Sequence, residues 1–134
     1  MQQHKRIVVF GFQTNRVTMF NKAKIFTTNS FTTNLSWVRP DQKDRMDLLE
    51  HEQGHFDLSE IYTRQLRKKL EEKNLTVFNL NNDANVIFKQ IYASYLDRQE
   101  QYEKETQYGV DRKKQMEWTI IISKELNELN SYTK

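Results

Sequence analysis

The stretch "LLEHEQGHFDL", residues 48 to 58, holds two of the chain's three histidines four positions apart, with a glutamate directly after the first. On an α-helix, positions i and i+4 lie on nearly the same face, so His51 and His55 point the same way about one turn apart. That spacing lets two imidazoles bind one tetrahedral zinc ion. Glu52 sits roughly 100° further round the helix, too far to ligate beside them but close enough to reach a water on the metal. Two ligands and one general base is the mechanical sense of H-E-x-x-H, and the chemistry expected is hydrolysis by a metal-activated water. Gly54 costs about 1 kcal/mol relative to alanine inside a helix, and a small residue there lets another segment approach closely.

The plain alternative is a pair of surface histidines on an amphipathic helix. A chance H-E-x-x-H arises in roughly one chain in a few hundred of this size. Many such chance matches fall in strands or loops. This one falls where a helix is independently predicted, flanked by Leu48, Leu49, Phe56 and Leu58, which are expected to bury it.

Catalytic zinc usually takes three protein ligands and a water. The extended motif with a third histidine is absent, because Leu58 and Ile61 occupy its glycine and histidine positions. His4 lies far off near the N-terminal end. A carboxylate is therefore expected, giving a His2Glu or His2Asp site. With His51 at zero, His55 falls near roughly 40°, Glu60 near 180° and Asp57 near 240°, so the last two face away as solvent or supporting carboxylates. The second helix offers a better candidate. With Ile91 at zero, Ile87, Tyr95 and Tyr102 mark an inward face within roughly 40° of it, and Glu105 falls on that face. Glu103 falls near roughly 120° and Glu100 near 180°, at the edge or outside. A carboxylate on an inward face needs a partner to offset desolvation, and the metal is one such partner. Arg98, on the same face, is the other. Glu105 is the expected third ligand.

These residues need elements to hold them. The N-terminal third is rich in β-formers: "RIVVFGF", "RVTMFNKAKIFTT" and "SFTTNLSWV" carry Val, Ile, Phe, Thr and Trp with partial alternation. They predict two to four short strands ending near Val38. Pro40 and Asp41 then read as a helix start. A helical period follows from about Asp41 to Lys73, with Leu48, Leu49, Phe56, Ile61, Leu66 and Leu70 at three-, four- and five-residue steps. "LTVFNL" is a candidate short strand. A second helix is predicted from about Ala84 to Thr106. After Gly109, a third is predicted from about Asp111 to Leu129, with Trp118, Ile121, Ile122 and Leu126. Strands first and helices after suggest an α+β domain. No linker or internal repeat divides residues 1–134, which read as a single domain.

Composition narrows the function. The chain has 134 residues, 37% of them apolar and 29% charged, as expected of a soluble globular domain. No apolar run approaches the ~18 residues needed to span a membrane. The start, "MQQHKRIVVFGF", has a basic end but an apolar run too short for a signal peptide and no small-residue cleavage site. The chain thus reads as cytoplasmic or as a form whose signal has been removed. The net charge of +3 is spread, with Lys and Arg among Asp and Glu as in "RQLRKKLEEK", so a solvated helix surface is expected and no nucleic-acid partner. There is no cysteine, so any zinc must be held by nitrogen and oxygen.

"SWVRP…LLEHEQGHFDLSEIYTRQLRKKL" followed by "YEKETQYGVDRKKQMEWTIIISKEL" resembles a bacterial family, domain of unknown function 922, of predicted secreted, zinc-dependent, zincin-like peptidases. The shared pattern falls on Trp37, His51 to Asp57, Tyr102, Glu105, Thr106, Gly109, Gln115 and Trp118. It covers residues 36 to about 126, and H-E-Q-G-H-F-D is far more specific than H-E-x-x-H. The resemblance implies a periplasmic or secreted location. Family members often carry histidine directly before the glycine, where this chain has Tyr108. A tyrosine hydroxyl can donate to a developing oxyanion, so Tyr108 and Tyr102 are candidates for that role, with packing as the alternative for both. Trp37, Gln115 and Trp118 read as packing or supporting residues.

The expectation is therefore an α+β, zincin-like domain: a small N-terminal β-sheet packed on the helix of His51, Glu52 and His55, followed by two further helices. "SFTTNLSWV" is the candidate strand at the cleft, where an extended peptide substrate could add as a strand. The expected function is zinc-dependent peptide hydrolysis with Glu52 as general base. The alternative is an inactive zinc-binding envelope protein that serves as a binding module. A helical interaction protein without metal would require the H-E-Q-G-H-F-D string to be coincidence.

Overall fold

One continuous helix of 32 residues carries the H-E-x-x-H segment near its start. The computed structural model describes residues 4–17, 22–35, 42–76 and 78–133, with side-chain surroundings from residue 46 onward. Two long strands, β1 (His4–Val17) and β2 (Lys22–Leu35), pair antiparallel as one ribbon, with His4 opposite Leu35 and Val17 opposite Lys22. Three helices follow: α1 (Gln42–Lys73), α2 (Leu80–Thr106) and α3 (Arg112–Glu128), then a 3-10 turn at Asn130–Tyr132.

The helices run up, down and up. Arg112 at the start of α3 pairs with Asp47 and Glu50 near the start of α1. Further along α1, Arg64 donates to the carbonyl of Leu126 in the last turn of α3 and Arg67 to that of Tyr132 in the 3-10 turn beyond it. Carbonyls near a helix C-terminus lack the usual i+4 amide, so cationic side chains satisfy them well. α2 lies antiparallel to both. Its Arg98 donates both terminal nitrogens to Glu125 of α3, at 3.1 and 2.6 Å, and its guanidinium stands 5.1 Å from the Trp118 ring. The bidentate bond to Glu125 raises the Arg98 pKa further, so this pair stays ionised.

Each helix buries a stripe. Leu58, Ile61, Leu66 and Leu70 of α1 meet Leu80, Ala84, Ile91, Tyr95 and Tyr102 of α2, with Trp118 and Ile122 of α3 closing the third side. The α1–α2 turn is held by Asn79, whose Oδ1 accepts from the Thr76 amide at 2.8 Å. Asp111 caps α3 by accepting from the Lys114 amide at 3.0 Å. No helix among the described residues is long and apolar enough to cross a membrane.

This corrects the α+β, zincin-like expectation. The described core is helical: among the side chains described, from residue 46 onward, every buried apolar one lies on a helix except Leu75, which sits in the α1–α2 turn. The β-forming segments make one two-stranded antiparallel ribbon of long strands rather than two to four short strands. Such a ribbon is marginal by itself and leans on the helices for stability. The physical reason is area: long amphipathic helices can close a core among themselves, so the fold does not require a sheet as a second layer. Smaller corrections follow. α2 starts at Leu80, before the expected Ala84, and takes up the end of the candidate strand "LTVFNL". Leu49 and Ile121, expected inside, are 53% and 42% exposed. Trp37, Val38, Pro40 and Asp41 lie outside the described residues, as do Ser36 and Trp37 within "SFTTNLSWV".

Candidate metal centre

On α1, His51 and His55 are both buried, at 3% and 1% exposure. Facing them, α2 repeats the same four-residue step with Gln99 and Glu103. Glu103 Oε1 lies 2.7 Å from His51 Nε2 and also meets His55 Nε2. One carboxylate oxygen thus touches the outer nitrogen of both rings, which stand edge to face with centroids 4.8 Å apart. The other nitrogens are also engaged. His51 Nδ1 is 2.8 Å from Oε1 of Gln115 on α3, and His55 Nδ1 meets Oε1 of Gln99. Gln99 Nε2 donates to the His55 carbonyl at 2.9 Å.

Tyr102 backs this arrangement. Its ring stacks on His51 with centroids 4.7 Å apart, and its hydroxyl donates to the His51 carbonyl at 2.8 Å. Gln115 Nε2 donates to the same hydroxyl at 2.8 Å. Two glycines make room. A Cβ on Gly54 would fall 2.0 Å from the Tyr102 hydroxyl oxygen, and one on Gly109 would fall 2.9 Å from His51 Cβ. Gly109 also has φ of +91°, at the end of a turn in which Gln107 and Tyr108 are left-handed too.

Burial alone would raise the Glu103 carboxyl's pKa. The hydrogen bonds and charges of His51 and His55 more than reverse this and hold it well below the usual carboxylate range. Burial pushes the Tyr102 hydroxyl far above its ordinary value, so it stays protonated. Glu52 is buried at 7%, and His51, Glu52 and His55 form a group able to hold a metal ion, with ligand atoms within 4.8 Å of one another.

The residues could hold a divalent metal ion. Two imidazole nitrogens and a carboxylate oxygen face one point, which calls for positive charge there, and nitrogen plus oxygen is the donor set of His2Glu sites.

Of the residues expected at the site, the structure brings together His51, Glu52 and His55 but not Glu105. Glu105 is exposed; its carboxylate accepts from Trp118 Nε1 at 3.0 Å and Gln101 Nε2 at 2.8 Å. Those bonds, that from Gln101 foremost, lower its pKa. Glu103 stands where Glu105 was expected. Arg98, the other partner considered for Glu105, is bonded to Glu125 instead. Asp57 and Glu60 face elsewhere, accepting from Gln53 and Arg64, each at 2.8 Å. Tyr102 is fully buried with its hydroxyl bonded to His51 and Gln115, while Tyr108 is 73% exposed. His4 lies on β1, with its side chain outside the described surroundings. Sequence reasoning missed Glu103 and Gln99. The available signal was the Gln-x-x-x-Glu step on α2, which matches the His-x-x-x-His step on α1.

Paired histidines on one helix, closed by a carboxylate from the next, define a candidate mononuclear metal centre. The chain belongs to the family described as bacterial protein of unknown function (DUF922), whose model matches residues 13–109. That span includes His51, Glu52, His55, Gln99, Tyr102 and Glu103 and stops before Gln115. No curated protein and no solved structure matches the chain.

Proposed function

We propose that this protein is a zinc-dependent hydrolase of peptide bonds. The observation that supports this best is the meeting of His51 Nε2 and His55 Nε2 at one oxygen of Glu103 beside a buried Glu52. His51, His55 and Glu103 would hold the ion. Zinc supplies Lewis acidity there, lowering the pKa of water and polarising a carbonyl. The Glu52 carboxylate takes the proton of the attacking water and passes it to the leaving amine. A periplasmic or secreted location belongs to this proposal and rests on the family resemblance alone.

One observation favours a second reading, a zinc-binding module without turnover. Tyr102, one of the two tyrosines considered for the oxyanion, is buried with its hydroxyl committed to the His51 carbonyl and Gln115. One experiment separates the two. Elemental analysis of purified protein should give one zinc per chain, lost in His51→Ala and kept in Glu52→Gln. The zinc-loaded protein should cleave members of a diverse peptide library, and Glu52→Gln should not. Zinc without any cleavage supports the binding module. No zinc after loading with excess metal overturns both.

A further inference from the structure

A backbone carbonyl can only accept a hydrogen bond, and this fixes the donors on the Nδ1 side of the two histidines. For His55 a single amide makes the link. Its carbonyl must be met by the amide NH2 of Gln99, at 2.9 Å. The same amide then presents its oxygen to His55 Nδ1, which must carry the proton. For His51 there is one link more. Its carbonyl must be met by the Tyr102 hydroxyl proton, at 2.8 Å. The hydroxyl oxygen is left to accept from Gln115 Nε2, at 2.8 Å. Gln115 therefore turns its oxygen to His51 Nδ1, at 2.8 Å, and that nitrogen too must carry the proton. Two separate chains, each anchored on the carbonyl of the histidine it serves, reach the same result.

We infer that Gln99, and Gln115 through Tyr102, are positioning residues that keep Nδ1 of both imidazoles protonated and turned away from the metal side before any metal arrives. Both Nε2 then face Glu103, to whose carboxylate each can donate while no metal is present, and no ring has to flip to bind zinc. Second partners of this kind are a general device for setting the tautomer and orientation of metal-binding histidines. In this chain the partner is an amide, which adds no charge, and the anchor is the histidine's own backbone. Burial at 0% for Gln115 and Tyr102 keeps water from competing for these bonds. The inference rests on the metal-site reading only for its effect on affinity.

The test is long-range 1H–15N correlation of the histidine rings in metal-free protein at mildly alkaline pH, paired with zinc titration. Wild type should show a proton held on Nδ1 of both rings, against the Nε2–H form that unconstrained histidine favours. Gln99→Leu should release His55 alone. Tyr102→Phe, which keeps the stacked ring, should release His51 alone. Each should weaken zinc binding about 10- to 100-fold. Gln99→Glu should keep His55 as Nδ1–H, because a carboxylate accepts the same proton; a merely structural role for Gln99 predicts no such rescue. Rings without a proton on Nδ1 in wild type, or unmoved by the Leu and Phe substitutions, would overturn the inference. Locked rings in a protein that takes up no zinc would leave the inference standing and remove the metal-site reading instead.

Discussion

Positions 103 and 105 differ by two residues, or roughly 200° of helix, and that difference decides what closes the site. Glu103 Oε1 touches both histidines, whereas Glu105 is exposed and bonded to Trp118 and Gln101. Glu103→Gln should therefore lower zinc affinity by well over tenfold, since a charged ligand becomes a neutral amide. Glu105→Gln should leave affinity unchanged within error, as measured by competition with a chelator of known strength. An equal loss in both variants would place the ligand elsewhere. The histidine pair was legible in the sequence because an i, i+4 relation is local: it needs only that residues 51 to 55 be helical. The third ligand depends on how α2 is rotated about its axis against α1. The face marked by Ile91, Tyr95 and Tyr102 points at the core shared with α3. Glu103 sits just beside it, turned to α1, where the inward-face count placed an edge.

At the scale of elements, one glycine reports how closely α1 and α2 approach. Two opposing effects act at Gly54. Alanine is favoured over glycine inside a helix by about 1 kcal/mol. Against this, a Cβ there would fall 2.0 Å from the Tyr102 hydroxyl and 2.6 Å from its ring carbon Cζ. The ring cannot step aside cheaply, because it is stacked on His51 and bonded at its hydroxyl by His51 and Gln115. Overpacking of this kind costs about 1–3 kcal/mol, so the clash should win. Gly54→Ala should lower the chemical-denaturation midpoint and loosen zinc binding together. A stabilisation of about 1 kcal/mol would mean that Tyr102 does not press on α1 here. The sequence suggested a close approach at Gly54 but not its partner. The approach comes from a segment 48 positions further along the chain, and periodicity within one helix carries no such information. The same limit explains the fold class. β-forming composition marked the N-terminal third, yet composition does not say whether strands build a core layer or a ribbon beside helices that close a core by themselves.

At the scale of the whole molecule, the centre draws on all three helices: α1 gives the histidines, α2 gives Glu103 and Gln99, and α3 gives Gln115. A metal held there ties α1 to α2 at the end of the bundle opposite the Leu66 and Leu70 end of α1. Because the unfolded chain cannot assemble these ligands, binding free energy becomes folding free energy. Zinc at 100 times its dissociation constant should add about 2.7 kcal/mol to stability, and a chelator should remove it. His55→Ala should lose the zinc-dependent rise in melting temperature. Leu66, fully buried several turns along α1, gives the contrasting case. Leu66→Ala should cost about 2–5 kcal/mol with or without zinc, because it opens a cavity far from the ligands. Distant, independent sites add, so the zinc increment should survive that substitution nearly unchanged. An increment that shrinks with Leu66→Ala would show instead that the metal centre and the helical core are one cooperative unit, with the site's geometry set by packing along the whole of α1.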